Sequence, residues 1–331
     1  MNTNILFLAM LLIATVTNSQ PVKPGSKIIV NDKKIHEVIS EDARIEILAE
    51  GHKWTEGPLW LPKLNKVIYS DIPNNAIYEW SEKEGKKLYL KPAGYTGHVP
   101  RSGEGGSNGL LLDDGGNLIL CQHGDRRIAK MDAPLSDPEA DYITITDSYN
   151  GKRLNSPNDA AYHKNGELYF TDPPYGLEKG ENDPAKEIDF QGVYKVDKTG
   201  KTVLLTKEFT RPNGIAFSPD YTKIYVANSD PKKAWWKVYD LDKDGMLKNG
   251  KVFYDVTDKV GEMKGLPDGL KIHPNGWVFA TGPGGVLVFT PEGKHLGTIF
   301  TGEATANCTF NEDHSALYMT ADDYLTRIQL K

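Results

Sequence analysis

Short apolar runs separated by turns bearing glycine, asparagine or aspartate recur along the whole chain. Polar and apolar positions alternate with a period of two in residues 76–80, 192–196, 236–239 and 285–289, and further short runs lie at 142–146 and 203–205. That period predicts β-strands with one face turned to a core. A longer period contains the short one. Residues 108–120 align with 158–170, with 268–279 and, allowing one extra turn residue, with 213–226; residues 56–69 and 307–319 complete the set. Each unit is a polar residue, an apolar strand, a turn and a second apolar strand.

The leading polar residues are Glu56, Asn108, Asn158, Asn213, Asp268 and Asn307, at intervals of 52, 50, 55, 55 and 39. Repeats of ~40–55 residues with hairpins inside each unit predict a propeller rather than a helical solenoid. Six units of about four strands predict an all-β, six-bladed β-propeller. Two N-terminal strands, at 27–30 and 44–48, have no repeat of their own. They are expected to complete the last blade, so that the propeller is closed by N-terminal strands and no edge is left open. No linker divides the chain, so residues 20–331 are expected to form a single domain.

Composition narrows the function classes. The 331 residues carry 39 Lys and Arg against 45 Asp and Glu, a net charge of −6, with no basic run to hold a nucleic acid. The 32 glycines, 20 prolines, 16 tyrosines and 6 tryptophans fit many strands and tight turns. Two cysteines, Cys121 and Cys308, exclude a disulfide framework and a thiolate zinc cluster and leave one bridge open. The apolar run at 5–16 has the length of a signal-peptide core and is shorter than the ~20 residues of a spanning helix. Thr17, Asn18 and Ser19 follow it. Residues 1–19 are therefore expected to be a signal peptide and the protein to be exported, periplasmic or secreted. The residues before the run carry no Lys or Arg, and a retained anchor is the alternative. After cleavage no stable membrane insertion is expected, and the protein should be a monomer or weak oligomer.

The repeat phase also locates candidate chemistry. Each leading residue stands at the entrance to the innermost strand of its blade, so all six converge on one end of the axis. Carboxylates and amides gathered there make an oxygen-only cage, with a charge of about −2 from Glu56 and Asp268. Such a cage suits a hard cation such as Ca2+. The alternative is a set of turn formers, since Asx side chains cap turns, and it applies most readily to Asn108 and Asn307. His123 and Asp172, each after the second strand of its unit, could approach the channel. Arg153 could offer forked donors to a substrate or form a surface ion pair. The other histidines show no ligand spacing.

Five segments carry a family resemblance: Glu56 to Trp60; Ser156, Pro157, Asn158 and Asp159; Tyr169 to Gly176; Arg211, Pro212, Asn213 and Gly214; and Leu266, Pro267, Asp268 and Gly269. In this order the chain resembles the SMP-30/gluconolactonase/luciferin-regenerating family, and within it the bacterial gluconolactonase-like proteins, from about residue 56 onward. The resemblance implies a six-bladed propeller and one divalent cation, most readily Ca2+, with Zn2+, Mg2+ or Mn2+ as alternatives. It implies Glu56, Asn158, Asn213 and Asp268 as ligands of that cation. It further implies hydrolysis of a small-molecule sugar lactone, the cation polarising the carbonyl and Asp268 acting as general base. Asn108, His123, Arg153 and Asn158 would then contact substrate. Some members place an arginine where this chain has Ser156. Two rival readings are hydrolysis of another ester or a phosphotriester at the same site, and a non-catalytic secreted propeller that binds carbohydrate or protein.

Overall fold

The computed structural model describes residues 20–331; the expected signal peptide at 1–19 lies outside them. Six antiparallel sheets, five of four strands and one of five, are arranged as blades, and within each repeat the innermost strand comes first in sequence. Blade 1 runs Thr55–Leu61, Lys66–Asp71, Ala76–Ser81 and Gly85–Leu90. Blade 2 runs Ser107–Leu112, Leu118–Gln122, Arg127–Met131 and Tyr142–Thr146. Blade 3 comprises Ala160–Tyr162, Leu168–Asp172, Gly192–Val196 and Thr202–Thr206. Blade 4 comprises Pro212–Phe217, Lys223–Asp230, Lys233–Leu241 and Leu247–Asp255. Blade 5 is Leu270–Ile272, Val278–Gly282, Gly285–Phe289 and His295–Phe300; blade 6 starts with Thr305–Phe310, Ala316–Ala321 and Tyr324–Gln329.

The expected closure by N-terminal strands is corrected by the strand pairing. The two N-terminal strands go to different blades: Ile45–Ala49 is the outermost strand of blade 6, and Lys27–Val30 is a fifth, outermost strand on blade 5. No sheet closes on itself, and every blade keeps an open outer edge. The physical reason is that an outermost strand faces away from the axis. Around the axis, neighbouring blades are hydrogen-bonded to one another through their innermost strands. Gly109 N–H donates to Asn158 O at 2.8 Å and Gly269 N–H to Ala306 O at 2.7 Å. The exposed edges carry charge, as with Lys86 and Lys87 in blade 1 and Lys248 and Lys251 in blade 4, which disfavours pairing with another chain.

The innermost strands approach more closely than side chains allow. A Cβ on Gly57 would stand 2.0 Å from Asn108 O, and one on Gly269 would stand 2.0 Å from Asn307 Cγ. Glycine directly after the leading residue is therefore a packing requirement, and at Gly57 the positive φ of 50° adds a conformational one. The apolar core lies between blades. Phe170 and Tyr194 stack beside Ile119 and Cys121 between blades 2 and 3, and Trp236 packs on Phe289 between blades 4 and 5. Both faces of the second strands are covered, so Leu168–Asp172 and Val278–Gly282 are buried throughout. Cys121 and Cys308 are buried free thiols in different blades, with no bridge between them.

Candidate functional site

Five of the six leading residues line one cavity of about 440 Å3 at the end of the axis: Glu56, Asn108, Asn158, Asn213 and Asp268. They reach it from five blades by sharing a repeat phase. Asn307, the sixth, lies beneath, its amide against the Glu56 and Asp159 carboxyls and its Oδ1 accepting Cys308 N–H at 2.9 Å. None of the six caps a turn.

The floor of the cavity is rich in unused acceptors. Oδ1 of Asn108, Asn158, Asn213 and Asp268 are all shut away from solvent without a hydrogen-bond partner. A buried unpaired acceptor costs ~1–3 kcal/mol, so four together mark a place prepared for donors. Several side chains hold this arrangement. Asn213 Nδ2 donates to Ser229 Oγ at 3.0 Å, which leaves its Oδ1 to the cavity. Ser229 Oγ in turn donates to the carbonyl of Pro267, next to Asp268. Both oxygens of Asp172 accept backbone N–H groups, from Asn155 and Ser156 at 2.8 Å each, and so fix the segment that delivers Asn158. Burial pushes the Asp172 carboxyl up to about 7. Ser156 Oγ donates to Pro173 O at 2.6 Å and accepts from Gly176 N–H at 2.9 Å.

Glu56 and Asp268 form a hydrogen-bonded carboxyl pair. Glu56 Oε2 also accepts Gly57 N–H at 2.6 Å. Burial pushes Glu56 up to about 7, and burial together with the Glu56 charge pushes Asp268 well above its usual range. Two carboxyls so placed hold a proton between them rather than two full charges.

This donor set corrects the expectation of a bound divalent cation. Among the described residues no group of three or more His, Cys, Asp or Glu is gathered to hold a metal ion. The expected charge of about −2 is reduced by the shared proton, and the third acidic side chain at the cavity, Glu104, is turned to His123.

The remaining candidates are placed as follows. His123 is fully buried behind the wall, neither ring nitrogen making a hydrogen bond, with Nδ1 3.4 Å from Glu104 Oε2. Arg153 is exposed on a short ribbon, Ser148–Tyr149 with Lys152–Arg153, and donates to Asp125 O at 2.8 Å; it does not line the cavity. Of the other wall residues, Glu104 and Trp54 carry no motif of their own, while Tyr175 lies in the segment from Tyr169 to Gly176. Glu104 belongs to a glycine-rich loop, and its one signal is an acid four residues before Asn108. Tyr175 stands against Ser229, its hydroxyl held protonated by burial and by the nearby Asp268 charge. Trp54 is positioned by Asp71, whose Oδ1 accepts its N–H at 3.5 Å. His52 supports Asp71, Nδ1 to Oδ2 at 3.3 Å, with Tyr69 OH at 3.0 Å from its Nε2.

Comparison with known proteins agrees with the repeat. The SMP-30/Gluconolactonase/LRE-like region matches residues 54–323. A gluconolactonase of Zymomonas mobilis is 34% identical over 336 residues, covering 98% of this chain and 93% of its own. A crystallised gluconolactonase of Xanthomonas campestris superposes with a TM-score of 0.80 at 28% identity, covering 94% of this chain and 97% of that one. A diisopropyl-fluorophosphatase of Loligo vulgaris is 27% identical over 238 residues, 69% of this chain and 70% of its own. With the match spanning all six blades, this chain belongs to the SMP-30/gluconolactonase/LRE-like family.

Proposed function

We propose that the protein is a hydrolase that opens small-molecule lactones, with Asp268 as the residue that takes the proton from the attacking water. The observation that carries this is the Glu56–Asp268 carboxyl pair facing unpartnered amide oxygens on the floor of one cavity. The names of the relatives, two gluconolactonases and a diisopropyl-fluorophosphatase, support a hydrolase at such a site.

Opening a lactone requires water to attack the carbonyl carbon while its proton is removed. Asp268 in its ionised form accepts that proton, and Glu56 orients it through their hydrogen bond. As the carbonyl oxygen gains charge, amide N–H2 groups of Asn108 and Asn158 offer donors, a contribution that grows in a water-poor site. The free acceptors Oδ1 of Asn158 and Asn213 take hydroxyl protons of the substrate and fix its ring. Asp268 then returns its proton to the departing ring oxygen.

The test is acid release from a lactone panel that includes gluconolactone, run with and without chelator and beside a phosphotriester. Turnover of a lactone, reduced ~10²-fold or more in kcat by Asp268→Asn, is the expected result. Absence of acid release from every lactone overturns the reading, and turnover of the phosphotriester alone replaces it.

The same reading includes export, on the apolar run at 5–16 followed by Thr17, Asn18 and Ser19. Removal near residue 19 spares the first backbone bonds of the described chain, Ile47 N–H to Pro21 O and Lys23 N–H to Ile45 O at 2.8 Å each. Intact mass of protein from its native host is expected to give a chain starting near Gln20; a chain retaining Met1 sinks the cleavage.

A further inference from the structure

His123 is the anomaly of the cavity wall. Its ring, just past the end of Leu118–Gln122, is fully buried and neither ring nitrogen makes a hydrogen bond. Buried polar atoms in folded proteins are nearly always paired, because an unpaired one has lost its water for nothing. The Glu104 carboxylate stands beside the ring, Oε2 3.4 Å from Nδ1, without the alignment of a hydrogen bond. The Glu104 side chain is 37% exposed and lines the cavity. There its charge is felt by the Asp268 carboxyl and by the Tyr175 hydroxyl.

Holding the loop does not require this pair. Residues 102–106 read Ser-Gly-Glu-Gly-Gly, and main chain and Arg101 fix them. Gly106 N–H donates to Ile72 O at 2.9 Å, and His123 N–H donates to Gly106 O at 3.1 Å. Arg101 Nη1 donates to Gly124 O at 2.9 Å and its Nη2 to Gly176 O. The glycines permit this closeness. A Cβ on Gly106 would stand 2.5 Å from Ile72 O, and one on Gly124 would stand 2.5 Å from Gly105 O. Of residues 94–106 only Glu104 lines the cavity. Its carboxylate and the His123 ring are therefore left over once the loop is in place.

We infer that Glu104 is a specificity-determining residue whose carboxylate accepts a hydroxyl of the substrate, and that His123 is the positioning residue that holds it. This rests on the lactonase reading and assigns the recognition of one hydroxyl within it. With its proton on Nδ1, His123 donates to Glu104 Oε2, and that contact tightens when substrate enters, as site hydrogen bonds commonly do. Oε1 then accepts the hydroxyl. An ionised carboxylate only accepts, so the group it meets is a hydroxyl and not the ester carbonyl. A hydrogen bond to a carboxylate is charge-assisted and strong, and a ring lacking that hydroxyl leaves the carboxylate without its donor. His123 Nε2 stays an unpaired acceptor, which is the standing cost of the arrangement.

The experiment compares gluconolactone with δ-valerolactone, the same ring without hydroxyls. Glu104→Gln is expected to raise KM for gluconolactone ~10-fold or more and to leave kcat within about twofold. Its kcat/KM for δ-valerolactone should be unchanged; if that lactone is not turned over, the split between KM and kcat on gluconolactone decides. His123→Met removes the donor and the unpaired Nε2 together, so KM should rise while the melting temperature holds or climbs. His123→Asn keeps a donor at the δ position and should bring KM most of the way back. Added to Glu104→Gln, His123→Met should raise KM no further, because it acts through Glu104. A loss confined to kcat, or equal losses on both lactones, places Glu104 on the reacting atoms and overturns the inference while the lactonase reading stands. Additive losses in the double variant, or a lower melting temperature with KM unmoved, overturn the part given to His123. If the unaltered protein opens no lactone, the lactonase reading itself falls.

Discussion

At the scale of single residues, the shared proton of Glu56 and Asp268 ties activity and stability to pH in opposite directions. Asp268 can accept a proton only after the pair has lost its own. With Glu56 raised to about 7 by burial, kcat/KM is expected to fall as pH drops through about 7 and to recover above it. For stability, both folded-state pKa values lie above their unfolded values. The folded chain therefore binds more protons than the unfolded one between about pH 4.5 and pH 7, and stability is lost as pH rises through that window. The Asp172 carboxyl, also raised to about 7, acts in the same direction. Melting curves taken every half unit of pH should show this fall, with Glu56→Gln making it shallower. An activity profile that stays level from pH 6 to pH 8 would show that the pair does not gate the chemistry. Asp268→Asn must be compared with Asn213→Ala in the same assay. The first removes the proton acceptor and should depress kcat. The second removes a hydroxyl acceptor held by Ser229 and should raise KM more than it lowers kcat.

At the scale of elements, glycine after the leading residue sets how near the innermost strands can stand. Gly57→Ala should be destabilised by about 3 kcal/mol, because its Cβ would meet Asn108 O at 2.0 Å and its φ is positive. Gly151→Ala is the control, since its φ of 75° is also positive but nothing lies within 4 Å; its cost should be nearer 1 kcal/mol. Equal melting temperatures for the two variants would refute the packing argument. The strands themselves were legible in the sequence as short apolar runs bounded by turn residues, and Gly192–Val196 and Gly285–Phe289 form at their expected bounds although both are buried throughout. The phase of the leading residues was legible too, since it repeats. What repeats nowhere was not legible. Glu104 sits in a loop without periodicity, and Val260 and Met263 belong to the irregular connection between blades 4 and 5; Tyr175 lies in a recognised segment, but its reach to Ser229 of another blade did not show there. Arg153 has the forked donors of a substrate contact, yet the ribbon it occupies turns it to Asp125 O. Of the two N-terminal strands, Ile45–Ala49 joins the last blade as expected, while the partner blade of Lys27–Val30 was hidden, because an outer strand carries no leading residue and pairs according to where the chain passes.

At the scale of the whole molecule, the blades differ in what they expose and agree in how they meet. Outer edges are open and carry charge, while the contacts around the axis are made largely by main chain. That second feature has a consequence for how such a molecule can change over evolutionary time. Where Gly57, Gly109 and Gly214 press against the next blade, the nearest neighbours are backbone oxygens, Asn108 O, Asn158 O and Asp268 O, with side chains of Asp159 and Leu270 beside them, and Gly269 meets the Asn307 side chain. The side chains of Asn108, Asn158 and Asp268 are thereby relieved of any part in spacing the ring. Replacing one of them alters what the floor offers to a guest while the neighbouring blades keep their places. A lineage built on this frame can try new chemistries one position at a time, each trial costing little in foldability, so long as the four glycines are inherited unchanged.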